Sequence, residues 1–371
     1  VRQRSEDTKL GRLPASAAAE PVGTREPRRP WPGRMVRFLA AQREVTLVVF
    51  VVLFGLWLSF ASDSFLTLGN IEAVLLGLAV EGIVAVGMTV LIASGGFDLS
   101  VGAVLALSGV AAGKLVLHGW SVPAAVVAAL LLACLIGALN GVLVAKVGIN
   151  PLIQTLGAMS VIQGVVLLTA GGFGVTNLPP GFDAIGQTTV LSVQTPILVM
   201  IAIALAGDFL LRRSRALRLA YYVGGNEKAS RLTGIAVDRV KIGAYVLTAL
   251  LAGLGGIITA ARFGSASVEA GGNIALEVIA AVVIGGASLA GGSGTVLGSL
   301  LGVLLLQLIL NGLNLLGVAT YWQPVATGAV LIFAVGFDAL TGRIDTGRLR
   351  AVMRVRGRAS SEARQSRGGT L

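Results

Sequence analysis

Charge is scarce in this chain of 371 residues: 13% are Asp, Glu, Lys or Arg, about half the ~25% of an ordinary soluble domain. Cysteine occurs once, as Cys134 inside an apolar run, which excludes a disulfide framework. Histidine also occurs once, as His118, which excludes His-rich metal sites and two-histidine chemistry. No phosphate-loop GxxxxGK[ST] is present, since Gly113-Lys114 is followed by Leu115. The HExxH, GxSxG and CxxC patterns are missing too, so an ATPase, hydrolase or redox site carried by this chain is not expected. The acidic residues inside apolar segments are few and scattered, which weighs against a proton relay.

What is present is apolar sequence in long blocks. Hydrophobic residues make up 55%, and the mean hydropathy is +0.85. Helices that are apolar all round over ~20 residues match the thickness of the hydrocarbon layer. The strict alternation of a membrane β-barrel is missing, and helices are the other structure that satisfies backbone polar groups in lipid. The expected fold is therefore an all-α polytopic membrane protein with about ten spans: Val45–Ala61, Ile71–Ala93, Val101–Leu117, Val122–Ala145, Pro151–Ala170, Thr195–Leu211, Ile242–Ala261, Leu276–Leu289, Val296–Leu316 and Trp322–Leu340. Leu276–Leu289 is short and Gly-flanked, so a broken or re-entrant element is expected there. Residues 1–43 read as a disordered basic tail carrying five of the eleven prolines, 44–341 as the transmembrane domain, 171–194 as an external loop, and 342–371 as a basic C-terminal tail.

Charge position supports this topology. Of 29 Lys and Arg, 26 fall in residues 1–43, 212–241 and 343–367; the others are Lys114, Lys146 and Arg262. Ten spans with a cytoplasmic N-terminus put those three segments, and the C-terminus, on the cytoplasmic side, where positive charge collects. The net charge of +11 is thus read as orienting spans and meeting lipid headgroups rather than nucleic acid.

Three features interrupt the apolar pattern. In Ala93–Gly102, ASGGFDLSVG, Asp98 or Ser100 can cap the third span, or, with Phe97, contact a solute at a broken helix. The Arg212–Lys241 loop contains YYVGGNEKASRLTGIAVDRVK. There Asn226 is a helix N-cap after Gly224 and Gly225, and Gly234 closes the helix. Ala229, Leu232 and Ile235 form an apolar edge, with Glu227, Lys228 and Arg231 elsewhere. That helix either lies on headgroups or docks in a partner's groove. The third feature is the Gly-rich Gly285–Gly298, from which Gly294, Gly298 and Gly302 form a ridge into the ninth span; Gly137 and Gly141 form one in the fourth. Glu81, Gly95, Gly96 and Gly102 recur at one offset as Glu277, Gly291, Gly292 and Gly298, a weak internal repeat. Asn140 lies in a span, and Gln307, Asn311 and Asn314 share one face of the ninth. Such amides either hydrogen-bond other helices or line a path for a hydroxylated solute.

ASGGFDLSVGAVLALSG and VGGNEKASRLTGIAVDRVK, with LNGVLVAKVGINPLIQTLG (139–157) and VIGGASLAGGSGTVLGSLLG (283–302), resemble the ribose/arabinose/galactoside-type permease subunits of bacterial ABC importers. The similarity runs from about Asn70 to Asp338. It implies the ABC importer permease fold in the bacterial cell membrane and import of a monosaccharide. It also implies that Gly225, Asn226, Glu227, Ala229, Arg231, Leu232, Gly234 and Ile235 couple to a cytoplasmic ATPase, which decides the loop in favour of a partner. ATP and Mg would be used by that ATPase, with no cofactor or metal on this chain. An extracytoplasmic solute-binding protein would deliver the sugar, and a second permease chain, forming a homodimer, would share the path. Phe97, Ser230 and Thr233 depart from the family's usual Ile, Ala and Ser. Alternatives are a same-fold permease for nucleosides or branched-chain amino acids, a stand-alone secondary carrier, and a membrane scaffold.

Overall fold

Each apolar block folds as a helix, in a computed structural model that describes residues 43–336. The expected basic tails, and residues 337–340 of the last expected span, lie outside the described residues. The elements are α1 (Arg43–Ala61), α2 (Leu68–Ala93), α3 (Val101–Leu117), α4 (Val122–Val142, continued by a π turn, Leu143–Val147), α5 (Pro151–Ala170), α6 (Pro180–Gln187), β1 (Thr189–Val190), β2 (Val193–Gln194), α7 (Thr195–Arg213), α8 (Arg215–Gly225), α9 (Glu227–Leu232), α10 (Val237–Phe263), α11 (Ile274–Ile284) and α12 (Val296–Leu315). A last helix covers residues 323–336.

Among the described residues seven helices are long and apolar enough to cross a membrane: α1, α2, α4 with its π turn, α5, α7, α10 and α12. The expected spans at Val101–Leu117 and Leu276–Leu289 are shorter apolar helices. The second ends at Ile284, because the glycines that follow leave the helix rather than extend it. The expected external loop holds α6 and the two-residue antiparallel pair of β1 and β2, a small hairpin in a fold that is otherwise helical, as expected. α8 was not expected either: its Arg215, Arg218 and Tyr222 mask a helix whose other face, Ala220 and Val223, is buried.

α2 and α10 form the centre. α2 is buried along nearly its whole inner half, with Ile83, Met88 and Leu91 fully enclosed, as are Tyr245 and Ile257 on α10. Where lipid is as apolar as leucine, helices associate by close packing, which small residues permit. The ridge of Gly137 and Gly141 on α4 serves this. A Cβ on Gly141 would sit 2.8 Å from the Ile242 Cα of α10, and one on Gly137 would sit 2.7 Å from the Ala249 Cβ. Gly298 and Gly302 likewise face backbone carbonyls of Gly285 and Ala281. Gly294, expected on the same ridge, lies before α12 begins and belongs to the preceding break. α1, α5 and α7 turn large apolar side chains outward, among them Phe60, Leu168 and Leu205, as surfaces bathed by lipid or covered by another apolar chain do.

Candidate functional site

The most exposed of the three interruptions is α9. Asn226 occupies the expected N-cap, its Oδ1 accepting from the Ala229 N–H at 2.9 Å. Gly234 has φ +83° just past the helix end, a left-handed conformation suited to glycine. Charged side chains brace the helix. Arg231 reaches Glu227 at 3.0 Å and Asp238, in the first turn of α10, at 2.6 Å. Lys241 reaches the other Glu227 oxygen at 2.6 Å. The hydrogen bond from Lys241, and then that from Arg231, hold the Glu227 carboxyl below its ordinary range against the opposing effect of partial burial. Ser230 Oγ donates to the Tyr222 carbonyl at 2.9 Å, tying α9 back to α8. With the frame made of charges and backbone, the apolar edge is left over: Ala229 is exposed, Ile235 is half-buried and Leu232 is 88% exposed.

The first break encloses its polar groups. Asp98 and Ser100 are fully buried, and Phe97 is half-buried. Asp98 Oδ1 accepts from the Ser100 N–H at 2.8 Å and from its Oγ–H at 2.6 Å. Ser100 is the residue preceding α3 and makes no side-chain cap of its own. The cap is thus shifted two residues upstream: Asp98 braces the N-cap residue rather than the helix. Asn140 donates to Ser100 Oγ at 3.0 Å and accepts from Gln154 at 3.2 Å, so the chain of bonds joins the break to α4 and α5. Tyr245 of α10 donates to the Phe97 carbonyl at 3.1 Å.

The amides of α12 also bond to neighbouring elements. Asn311 exchanges hydrogen bonds with Asn70 at 2.7 and 3.2 Å, Gln307 donates to Glu81, and Asn314 accepts from Gln323 at 3.0 Å. Thr89 and Ser299 add a rung at 2.7 Å. Gln307 and Asn311 thus stitch α12 to α2.

The repeat is visible in local form. Gly95 and Gly291 both adopt left-handed φ, +79° and +88°, in the break between two apolar helices. Gly102 and Gly298 both sit in the first turn of the helix that follows, each facing a backbone carbonyl, of Gly271 and Gly285 respectively. The two breaks also touch: the Gly292 N–H donates to the Ala93 carbonyl at 2.9 Å. Between them lies the end of α8. A Cβ on Gly291 would sit 2.8 Å from the Gly224 Cα, and one on Gly292 would sit 2.9 Å from the Gly225 Cα. Tyr221 OH donates to the Gly294 carbonyl at 2.7 Å. The three interruptions, separate in sequence, therefore converge at one end of the bundle, the cytoplasmic end by the charge rule. Sequence reasoning missed Gly224, Tyr221 and Tyr245 as members; the Gly224-Gly225 pair was the only local signal.

A model of the branched-chain amino acid transport system permease component matches residues 70–335. The chain belongs to this permease family. Among its relatives are the ribose import permease protein of Escherichia coli, 42% identical over 297 residues (79% of this chain and 92% of that protein), and the L-arabinose ABC transporter permease protein of Azospirillum brasilense, 36% identical over 296 residues (80% and 87%). The xylose transport system permease protein of Escherichia coli is 30% identical, covering 81% of this chain and 91% of that protein. No solved structure gave a significant match. The permease match spans the first break, the 212–241 loop and the second break together. The protein is thus a multi-pass membrane permease component of a transport system.

Proposed function

We propose that this permease imports a monosaccharide by alternating access, powered by a separate cytoplasmic ABC ATPase that docks on the α9 edge. The observation that carries the reading is Leu232: an apolar side chain 88% exposed on a helix otherwise braced by its own cap and charge network. Burying it against a partner's groove is the way an amphipathic helix recovers such exposure. In this reading Gly225 and Asn226 set the helix, Glu227 and Arg231 hold it, Ala229, Leu232 and Ile235 meet the partner, and Gly234 ends it. ATP and Mg act on the ATPase. A solute-binding protein delivers the sugar outside, and a second permease chain completes the path. The relatives' names, ribose, L-arabinose and xylose, support a pentose or related sugar. The family description supports a second reading, a branched-chain amino acid, with nucleosides a further class to assay.

Uptake of labelled ribose, arabinose, xylose, leucine and adenosine in cells carrying or lacking this chain separates the substrates. Leu232→Asp tests the docking. The ATPase is expected to co-purify with the wild-type chain and to be lost from the variant while membrane insertion is normal. Full retention of the ATPase by the variant would refute docking at α9, and transport by the purified chain alone in liposomes would refute the need for an ATPase.

A further inference from the structure

We infer that Gly224, at the end of α8, is the contact through which motion of the docking loop reaches both Gly-rich breaks. This inference rests on the docking reading above, and it assigns a positioning role to a residue outside the docking edge.

The argument is one of packing. α8 and α9 are one mechanical unit with the start of α10, joined by the Ser230–Tyr222 bond and the Arg231–Asp238 and Lys241–Glu227 pairs. That unit meets the two repeat halves at its α8 end. A Cβ on Gly224 would overlap the Ala93 carbonyl oxygen, the last residue of α2, and would sit 2.7 Å from the Gly292 nitrogen. Those two atoms are themselves hydrogen-bonded, so Gly224 presses on the seam where the first break meets the second. Gly95 is close as well: its Cβ would sit 3.6 Å from the Gly224 Cα. Backbone against backbone leaves no side chain to absorb a displacement, so a shift of α8 is passed on rather than damped.

Clefts open along the flanks of α8. On one side lies an apolar cleft of about 590 Å³ reached by Leu217 and Ala220 and walled by Val86, Leu210 and Leu251. On another lies a polar cleft of about 540 Å³ lined by Arg218, Tyr222, Glu44 and Asp208. α8 is thus held tightly at its end and has space beside its body, the arrangement of a lever seated on a joint. Tyr221 fixes the same end to the Gly294 carbonyl. Because the breaks are where α2 stops and α3 and α12 begin, moving the seam re-aims helices of both halves together.

The test uses the complex purified through a tag on this chain, with ATP hydrolysis measured with and without binding protein and ribose, alongside ribose uptake in cells. Gly224→Ala is expected to retain the ATPase and its unstimulated hydrolysis, to lose stimulation, and to lower uptake at least about tenfold. Tyr221→Phe removes one hydroxyl without adding bulk and is expected to lower stimulated hydrolysis severalfold with unstimulated hydrolysis unchanged. Gly157→Ala, at an exposed glycine of α5 with open space around it, is the control and is expected to match wild type. Wild-type stimulation in Gly224→Ala overturns the inference. If that variant fails to insert, wild-type stimulation in Tyr221→Phe overturns it alone. Failure of the docking reading shows separately, as retention of the ATPase by Leu232→Asp.

Discussion

Asp98 offers a perturbation that separates a structural carboxylate from a solute-binding one. Its Oδ1 accepts both the backbone N–H and the hydroxyl of Ser100, at 2.8 and 2.6 Å, while its Oδ2 has no protein partner among the described residues. Asp98→Asn can keep Oδ1 in place and puts an amide where Oδ2 was. The change keeps both bonds from Ser100, so it is expected to cost clearly less than loss of the whole side chain. Asp98→Ala strands two buried donors, the Ser100 N–H and its O–H, because Asn140 donates to Ser100 Oγ and cannot take that proton. A buried donor left unpaired costs about 1–3 kcal/mol, so the expected loss is at least about 2 kcal/mol. Hydrogen bonds within membranes average only about 0.6 kcal/mol where the unfolded state finds other partners. Here the donors lie two residues from their acceptor on a fully enclosed segment, which favours the larger figure. Denaturant unfolding in detergent measures both variants, and ribose uptake is read in parallel. Equal stability of the Ala and Asn variants would refute the structural role. Uptake lost in Asp98→Asn at unchanged stability would instead place Asp98 on the solute path.

Two further predictions concern carboxylates elsewhere. Glu81 of α2 is buried and accepts from Gln307 of α12. Gln307→Leu removes the donor to a buried carboxyl and should lower the unfolding midpoint in detergent; an unchanged midpoint would refute the structural role of that bond. Glu227 is held below its ordinary range chiefly by Lys241. A carboxyl depressed in the folded state adds stability above its unfolded value and loses it as pH falls through the folded one. Opening of residues 226–235, read by amide hydrogen exchange corrected for its intrinsic rate at each pH, should thus rise as pH falls below the ordinary carboxylate range, and Glu227→Gln should raise it near neutral pH, match wild type at acid pH and so flatten the dependence. An unchanged pH profile in that variant would count against the brace.

How much was legible beforehand varies with the kind of interaction. The spans were readable because crossing a bilayer imposes a length and a composition on consecutive residues. α9 was readable for a similar reason: its cap at Asn226 and its terminator at Gly234 lie within eight residues of each other, and capping is a local bond. The end of α11 was less so, because Gly285 through Gly294 could continue a membrane helix, bend it or break it, and the neighbours decide. The amides of α12 were ambiguous for the same reason. A polar face inside a span points inward whether it meets water or another helix, and only the opposing Asn70 and Glu81 of α2 show which.

The sequence by itself determined a multi-span helical membrane protein of this permease family, with its basic segments on one side, since hydropathy length, charge placement and motif are properties of contiguous residues. Tertiary structure alone decided that Ala93, Gly224 and Gly292 meet. They lie far apart in the chain, and each is an ordinary small residue when read in place. What brings them together is backbone packing at distances a single added methyl would prohibit, and nothing in a string of letters records which backbones approach.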